Sequence, residues 1–433
     1  MGADKGLRFK SVPVLDKLPT NYIRCIYQDK DGYIWLGTPN GLFMYNGYKV
    51  IPIRAVADKF SLPDNEVLCI AEDDNHCLWV GTRLGLGKID KTTWHVSGVH
   101  DEAFKNVGVQ QLLKTTGGEL WIGTEKGLYY HDLQKQSFHA LDGEDKDLYP
   151  RGSIIAMHED RRGDVWIGLW NGGLWRYDKK DGKFILYAGL GEQLNVSAIY
   201  TDRHDRVWIG TWGKGLALLE NPDQTSQVAP RYFTSGLSGG EGISDNYICA
   251  IGEDGNSGQL WVGTRSGLSV SGKGKDEFVF DNYLPAEPGG GISYGEVYSI
   301  LCDKEKNMWL GMYGGGVNKV DMQREQIKLN SPQPEDGRRN ALCAVRSILA
   351  DDDGMLWLGS GVRGVRILDR NTGEPYEEKE LERLLGLETN VPCIMQSPTT
   401  GKIWLGTYGE GVWIYDKKAP DGQKLTVWDW SHN

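Results

Sequence analysis

Short apolar runs separated by glycine-containing polar turns recur along the whole chain. In the first unit the runs YIRCIYQ, YIWLGT, LFMYNG and YKVIPI follow one another, with the turns DKDG and PNG between the first three. β-branched and aromatic residues are frequent in these runs, which is typical of short strands joined by tight turns. The pattern therefore predicts units of four antiparallel strands, and it shows no alternation of strands with helices.

One tripeptide marks every unit. A tryptophan followed by isoleucine, leucine or valine and then by glycine occurs nine times, at Trp35, Trp79, Trp121, Trp166, Trp208, Trp261, Trp309, Trp357 and Trp404. The copies are 42 to 53 residues apart, and their mean spacing of about 46 residues is close to the length of a β-propeller blade. The fold class is therefore predicted to be all-β, a β-propeller of four-stranded antiparallel blades with nine sequence repeats.

The number of rings is less direct, because propellers commonly have four to eight blades. One nine-bladed ring is favoured, since two blades left over from a seven-bladed ring would expose apolar faces; seven blades plus two blades of a second ring is the alternative. The segment before the first repeat is expected to be an outer strand on the last blade, although QKLTVWDWSHN at the C-terminus also resembles an outer strand. Residues 1–6 are predicted to be an extension, and residues 7–433 a single propeller domain.

Composition narrows the classes of function. The 433 residues include 58 glycines and carry a net charge of −11 without a clustered basic run, so nucleic acid is not an expected partner. No apolar stretch approaches the 18 or so residues of a transmembrane helix. The start of the chain has no signal-peptide pattern.

Motifs for metal or nucleophilic chemistry are weak. The seven cysteines include no C-x-x-C pair, and most of them match a slot for a small side chain in the first strand of the repeat, so they are predicted to pack rather than react. The histidines have no metal-binding spacing, and the acidic first turns are expected to be solvated. No metal, cofactor or catalytic residue is predicted. His158 is the one histidine at the end of a predicted innermost strand, where its ring would face the channel, and a structural role is favoured for it.

The hairpins between second and third strands carry the best candidates for ligand contact. In a propeller these tips gather at one end of the channel, where they vary while the frame stays fixed. Their aromatic and cationic residues form the predicted ligand-binding set: Trp170, Trp212, Tyr313, Tyr408, Arg83, Arg265 and Arg363. Exposed rings among glycines suit stacking on sugar rings, and guanidinium groups suit carboxylates or sulfates. Packing of the same rings on the next blade is the alternative.

The repeats IYQDKDGYIWLGTPNGLFMYNG, MHEDRRGDVWIGLWNGGLWRYD and ILADDDGMLWLGSGVRGVRILD resemble the two-component regulator propeller repeat, found in periplasmic sensor domains of hybrid two-component systems in Bacteroidetes. The resemblance covers residues from about 8 to 430. It implies a periplasmic or secreted location and a sensor that recognises glycans. Members of the family usually have about fourteen repeats in two rings, followed by membrane and kinase modules that this sequence does not contain.

The predicted function is therefore an extracytoplasmic, non-enzymatic sensor propeller that binds an oligosaccharide, with an acidic glycan as one expectation, for signal transduction. A homodimer is a further expected assembly. A protein–protein interaction platform is the first alternative, because aromatic and arginine residues are frequent hot spots. A propeller lyase is the second, because streptogramin lyases have similar blade repeats; it would need a histidine and a carboxylate that converge near the channel.

Overall fold

The computed structural model describes residues 7, 9–54, 61–133, 135–142, 149–222, 229–236, 242–272, 278–285, 291–320, 345–361, 364–370, 376, 390–420 and 422–429. Residues 1–6, the predicted extension, lie outside this set. The chain forms two compact units, Met1–Glu325 and Gln326–Asn433. Within the described residues there are nine antiparallel sheets, seven in the first unit and two in the second. The predicted all-β propeller architecture with one blade for each repeat is confirmed.

The strands are as follows. The strand β1 spans Lys10–Ser11. Blades 1 to 3 contain β2 (Cys25–Gln28), β3 (Ile34–Thr38), β4 (Gly41–Tyr45) and β5 (Val50–Ile53); β6 (Val67–Glu72), β7 (Cys77–Thr82), β8 (Gly85–Asp90) and β9 (His95–Gly98); and β10 (Val109–Lys114), β11 (Leu120–Thr124), β12 (Leu128–Asp132) and β13 (Ser137–Ala140). Blades 4 and 5 contain β14 (Ile154–Glu159), β15 (Val165–Leu169), β16 (Leu174–Asp178) and β17 (Lys183–Leu186); and β18 (Val196–Thr201), β19 (Val207–Thr211), β20 (Leu216–Leu219) and β21 (Arg231–Phe233).

The remaining blades follow the same order. Blades 6 and 7 contain β22 (Ile248–Glu253), β23 (Leu260–Thr264), β24 (Leu268–Ser271) and β25 (Phe280–Tyr283); and β26 (Val297–Cys302), β27 (Met308–Met312) and β28 (Gly316–Val320). Blades 8 and 9 contain β29 (Val345–Ala350), β30 (Met355–Ser360) and β31 (Val365–Asp369); and β32 (Cys393–Gln396), β33 (Ile403–Gly406), β34 (Val412–Tyr415) and β35 (Leu425–Trp428). Two 3₁₀ helices span Leu15–Lys17 and Ala188–Leu190.

The N-terminal strand closes the first unit as a ring of seven blades. Strand β1 pairs antiparallel with β28, with Lys10 opposite Lys319, and so takes the outer position of blade 7. The innermost strands of blades 1 and 7, β2 and β26, pack against each other. Across the same junction the Ile23 N–H donates to the Met312 carbonyl at 2.9 Å. The first unit therefore closes as seven blades, as in the alternative of seven blades plus two and unlike the favoured single nine-bladed ring. The expectation that residues 7–433 form a single propeller domain stays a prediction.

Ring closure at blade 7 also explains the surplus outer strand. The N-terminal segment is an outer strand, as predicted, but it lies on blade 7 instead of the last blade. Strand β35 then completes blade 9 by pairing with β34. The N-terminal strand β1 and the C-terminal strand β35 are therefore the outer strands of two different blades, 7 and 9.

The repeat tryptophans form the packing between successive blades. Eight of the nine are at most 3% exposed, and each packs on the blade that follows, so that Trp35 contacts Val67 and Leu78 of blade 2. Trp309 of blade 7 packs on Ile23 and Leu36 of blade 1, which closes the apolar core around the ring. Trp404 of blade 9 is only half-buried. The prediction that these residues form the core is confirmed for eight of them, because burial here requires a following blade.

A buried carboxylate in the first turn holds most of these indoles. In blade 1 the Trp35 Nε1–H donates to Asp29 at 2.9 Å, and the same bond recurs in the five blades that pair Asp73 with Trp79, Asp160 with Trp166, Asp202 with Trp208, Asp303 with Trp309 and Asp351 with Trp357. These aspartates are at most 7% exposed. The expectation of solvated acidic turns is therefore wrong for the first aspartate of each turn, since the buried indole and turn N–H groups need an acceptor.

In every blade but blade 3, where Gln111 faces Gly123, a pair of small residues brings the first and second strands together. Cys25 lies opposite Gly37, and Cys69 lies opposite Gly81. A Cβ atom at Gly81 would lie 2.3 Å from the Cys69 Sγ, so the glycine makes room for the thiol. The packing role of these cysteines is confirmed. In blade 6 the small residue is Ala250, and Cys249, which had been assigned to this slot, occupies the β-bulge beside it.

Candidate functional site

The tips of the second hairpins present one residue each in an equivalent position. In this slot the backbone N–H donates to the carbonyl of the residue that precedes the innermost strand of the same blade. The pairs are Arg83 to Glu66, Trp170 to Ser153, Trp212 to Asn195, Arg265 to Tyr247, Tyr313 to Glu296 and Tyr408 to Asn390. The hairpins are tight because glycine turns them: Gly215 has φ +83°, and a Cβ there would lie 2.3 Å from the Phe233 carbonyl oxygen.

Two of the predicted aromatic residues meet in an exposed cluster on blades 4 to 6. The rings of Trp170 and Trp212 lie 6.0 Å apart, and Trp212 lies 5.3 Å from Tyr247 at 76°, edge to face. Arg265 holds its guanidinium 5.8 Å from the Trp212 ring and 5.3 Å from the Tyr247 ring. Trp170 is 45% exposed and Tyr247 is 37% exposed, so apolar ring surface remains open to a ligand.

Tyr313, the third predicted aromatic residue, belongs to a second cluster at the junction of blades 7 and 1. Its ring lies 4.6 Å from Tyr22 and 5.3 Å from Tyr298. The Arg24 guanidinium lies 5.2 Å from the Tyr313 ring and 5.4 Å from the Tyr298 ring. Tyr22 is 44% exposed. The predicted aromatic residues of the first unit are therefore divided between two clusters, each with members that the sequence did not indicate.

Glutamates connect the arginines into one belt, which we call the aromatic belt and define as the two clusters with Glu66, Arg83 and Glu296. Glu296 accepts a hydrogen bond from Arg265 at 3.1 Å, and its carbonyl accepts the Tyr313 N–H at 3.0 Å. Glu66 binds Arg24 at 3.3 Å and Arg83 at 3.4 Å. The belt therefore runs without interruption from blade 4 through blade 7 to blade 2.

Charge in the aromatic belt is close to balanced. Arg24, Arg83 and Arg265 face the carboxylates of Glu66 and Glu296, and the nearby Asp245 also acts on Arg265. The hydrogen bond to Glu296 raises the pKa of Arg265, so that its charge is fixed. Such paired groups donate and accept hydrogen bonds while adding little net charge.

Two members of the predicted set are not part of the belt. Tyr408 lies in the second unit, where it is 82% exposed. Arg363 lies outside the described residues. The belt members that the sequence analysis missed are Tyr22, Arg24, Glu66, Tyr247, Glu296 and Tyr298. One signal was available for two of them, because Tyr22 and Tyr247 both stand in the tripeptide Asn-Tyr-Ile that leads into an innermost strand.

His158 of blade 4 packs against Tyr200 of blade 5. Its ring is 5.2 Å from that of Tyr200 and it pairs in the sheet with Trp166. Burial lowers the pKa of His158 to about 4, so the imidazole is neutral at physiological pH. This placement gives it the packing role that was favoured for it.

The other reactive groups are the Cys249 thiol and the side chains that are able to bind a metal ion. Burial raises the pKa of the Cys249 thiol, which lies near Arg265 and Glu296, to about 12, so this thiol stays protonated. Within the residues that the structure describes, no group of three or more His, Cys, Asp or Glu side chains is arranged to hold a metal ion.

Comparison with known proteins agrees with the repeat pattern. The family model described as two component regulator propeller matches residues 17–40, 61–83, 189–213 and 291–314. These four segments thus match the repeat of two-component regulator propellers. The histidine kinase P4 of Formosa agariphila is 25% identical to this chain over 331 residues, which are 74% of this chain and 23% of the kinase.

Solved structures share the fold of this chain. The extracellular domain of a putative hybrid two component system from B. thetaiotaomicron superposes with a TM-score of 0.59 at 22% identity, over 96% of this chain and 54% of that one. Virginiamycin B lyase from Staphylococcus aureus has a TM-score of 0.53 at 13% identity, over 73% of this chain and 99% of the lyase. This chain thus spans about half the length of the extracellular domain from B. thetaiotaomicron. In the described residues, no helix is both long and apolar enough to cross a membrane.

Proposed function

We propose that this chain is the extracytoplasmic, ligand-binding part of a sensor and that it recognises an oligosaccharide through the aromatic belt. The four matches to the two component regulator propeller model support the sensor role, as does the similarity to a histidine kinase and to the extracellular domain of a putative hybrid two component system. The proposal includes a periplasmic or surface location and transfer of the signal to kinase modules of a longer protein.

The observation that carries the oligosaccharide proposal is the exposed ring surface of the aromatic belt. Trp170, Tyr22 and Tyr247 expose between 37% and 45% of their surface on a frame of packed blades. Flat rings of this kind stack on the apolar faces of sugars at small entropic cost, because the side chains are already held by neighbours. The arginines and glutamates beside them can bind hydroxyl groups.

The charges of the belt favour an uncharged glycan over an acidic one. An acidic ligand was expected to bind arginines at the tips, but Arg265 already binds Glu296 and Arg83 already binds Glu66. A carboxylate or sulfate on the ligand would have to compete with these glutamates and would face their charge. A neutral oligosaccharide meets hydrogen-bond donors and acceptors without that penalty.

A glycan-array screen on the intact chain tests this function. Neutral oligosaccharides are expected to bind, and the Trp212→Ala variant is expected to lose at least tenfold in affinity, because Trp212 connects Trp170, Tyr247 and Arg265 in the belt. Tyr48→Ala is the matched control, since Tyr48 is 87% exposed in a third hairpin, at the opposite end of blade 1. Equal losses in both variants, or no binding to any glycan, would contradict the proposal and favour the protein-interaction platform.

A further inference from the structure

The aromatic belt contains a similar arrangement twice. At the junction of blades 5 and 6, the tip residue Trp212 meets Tyr247 of the next blade, Arg265 covers both rings, and Glu296 binds that arginine. At the junction of blades 7 and 1 the tip residue Tyr313 meets Tyr22, and Arg24 covers Tyr313 and Tyr298 and binds Glu66. In both, the glutamate belongs to the blade after the one that supplies the arginine.

The backbone shows that the tip residue and the tyrosine are equivalent in position in the two arrangements, whereas the arginines differ, because Arg265 occupies a tip slot and Arg24 directly precedes an innermost strand. Both tyrosines form an isolated antiparallel bridge with the tip residue, Tyr247 with Trp212 and Tyr22 with Tyr313. In the first, the Gly213 and Gly215 N–H groups both donate to the Asn246 carbonyl at 3.0 Å. In the second, two tip glycines donate to the Asn21 carbonyl at 3.0 and 2.9 Å. The Asn-Tyr-Ile tripeptide that supplies these groups occurs at two places in the whole sequence.

The two arrangements adjoin each other. Glu296 ends the first by binding Arg265, and its own carbonyl accepts the N–H of Tyr313, which begins the second. Each arrangement exposes a tyrosine, Tyr247 at 37% and Tyr22 at 44%.

We propose that these arrangements are two similar subsites for successive parts of one linear, neutral oligosaccharide. The inference rests on the proposed function and specifies its ligand. Two like subsites in a row suit a polymer fragment with repeating units, because each unit presents the same face and the same hydroxyls. A monosaccharide fills one subsite only, whereas a chain that reaches both gains the second contact without a second loss of translational freedom.

Titration calorimetry with a chain-length series tests the inference on the intact protein. The probes are gluco-, xylo- and manno-oligosaccharides of one to six units, with oligogalacturonides of the same lengths as the charged arm. For at least one neutral series we expect one oligosaccharide to bind per protein molecule. We also expect the affinity to rise at least tenfold from the monosaccharide to the tetrasaccharide or hexasaccharide. The oligogalacturonides are expected to bind at least tenfold more weakly.

Variants separate the two subsites. Tyr22→Ala and Tyr247→Ala should each lower the affinity for the longest neutral probe about tenfold. Each should also remove most of the difference in affinity between long and short probes. Tyr22→Phe and Tyr247→Phe should keep the affinity for the longest probe. Circular dichroism establishes that each variant is folded. An affinity that does not depend on length, tighter binding of the charged series, or sensitivity to only one tyrosine would overturn the two-subsite inference and leave the sensor function standing. Failure of every probe to bind the parent protein would overturn both.

Discussion

Most indoles of the repeat depend on one specific acceptor as well as on apolar burial. Asp73 shows this well, because it is fully buried and its carboxylate accepts the Trp79 Nε1–H at 2.8 Å and the N–H groups of Asn75 and Cys77 at 2.8 and 3.0 Å. Blade 3 solves the same problem differently: Thr115 replaces the aspartate, and Trp121 donates to Glu119 at 3.0 Å. The carboxylate therefore links the turn to the core.

Replacing Asp73 should expose the value of this link. Asp73→Ala leaves an indole and two backbone N–H groups without their acceptor in the core, so unfolding should become easier by about 3 kcal/mol. Chemical denaturation of the first unit measures it. Thr115→Ala is the control, and because Trp121 keeps Glu119, its cost should stay near 1 kcal/mol or below. Similar losses at both positions would refute a special role for the aspartate.

His158 gives a pH-dependent test. Its pKa falls from 6.5 to about 4 in the folded protein because burial disfavours the charged imidazole. The unfolded chain therefore takes up a proton between about pH 6.5 and 4 that the folded chain does not, so stability is full above pH 6.5 and declines as the pH falls towards 4. The contribution of this one group is about 3 kcal/mol across that range.

His158→Phe should remove this dependence while it keeps a ring against Tyr200. Thermal or urea unfolding of both proteins at pH 7, 5.5 and 4.5 provides the comparison. We expect the stability difference between variant and parent to move in favour of the variant as the pH falls. A difference that stays constant with pH would show that His158 does not titrate in this way.

At the scale of strands and blades, packing of one blade on the next determines how much each repeat contributes. Trp309 is 3% exposed because blade 1 covers it, and its neighbours there include Ile23 and Ile26. Trp404 occupies the same place in its repeat but is half-buried, with its ring 6.4 Å from Trp428 of its own blade. Identical sequence positions thus have different environments.

This difference predicts unequal effects of one substitution. Trp309→Ala should destabilise the first unit by about 3 to 5 kcal/mol, as expected for a large buried side chain at the closing junction. Trp404→Ala should cost about 2 kcal/mol or less in the second unit, since less surface is buried. Denaturant midpoints of the two variants decide the matter, and equal destabilisation would contradict the seven-bladed closure.

The strands could be predicted from sequence because each depends on local alternation and turn residues. Closure could not, because Lys10 pairs with Lys319 and nothing near either residue indicates that blade 7 rather than the last blade accepts the N-terminal strand. The candidate site divides in the same way. Trp212 and Tyr313 follow from their place in the repeat, whereas Tyr22 joins Tyr313 only because the ring closes there.

At the scale of the whole molecule, the seven-bladed ring of the first unit holds every member of the aromatic belt. The second unit contributes Tyr408 and two blades. In the first unit each blade has a packed neighbour on both sides, and its first and last blades bond to each other. The ring is therefore expected to fold and to bind without residues after Glu325.

The most direct test is the unfolding and binding of a fragment that contains residues 1–325. Closure at blade 7 predicts one cooperative thermal transition within about 5 °C of the first-unit transition in the whole chain, a margin that corresponds to about 3 kcal/mol in a unit of this size. The fragment should also keep the glycan affinity of the whole chain within about twofold. An aggregated or non-cooperative fragment would show that the ring needs the later blades, and a folded fragment without glycan affinity would move the site away from the aromatic belt.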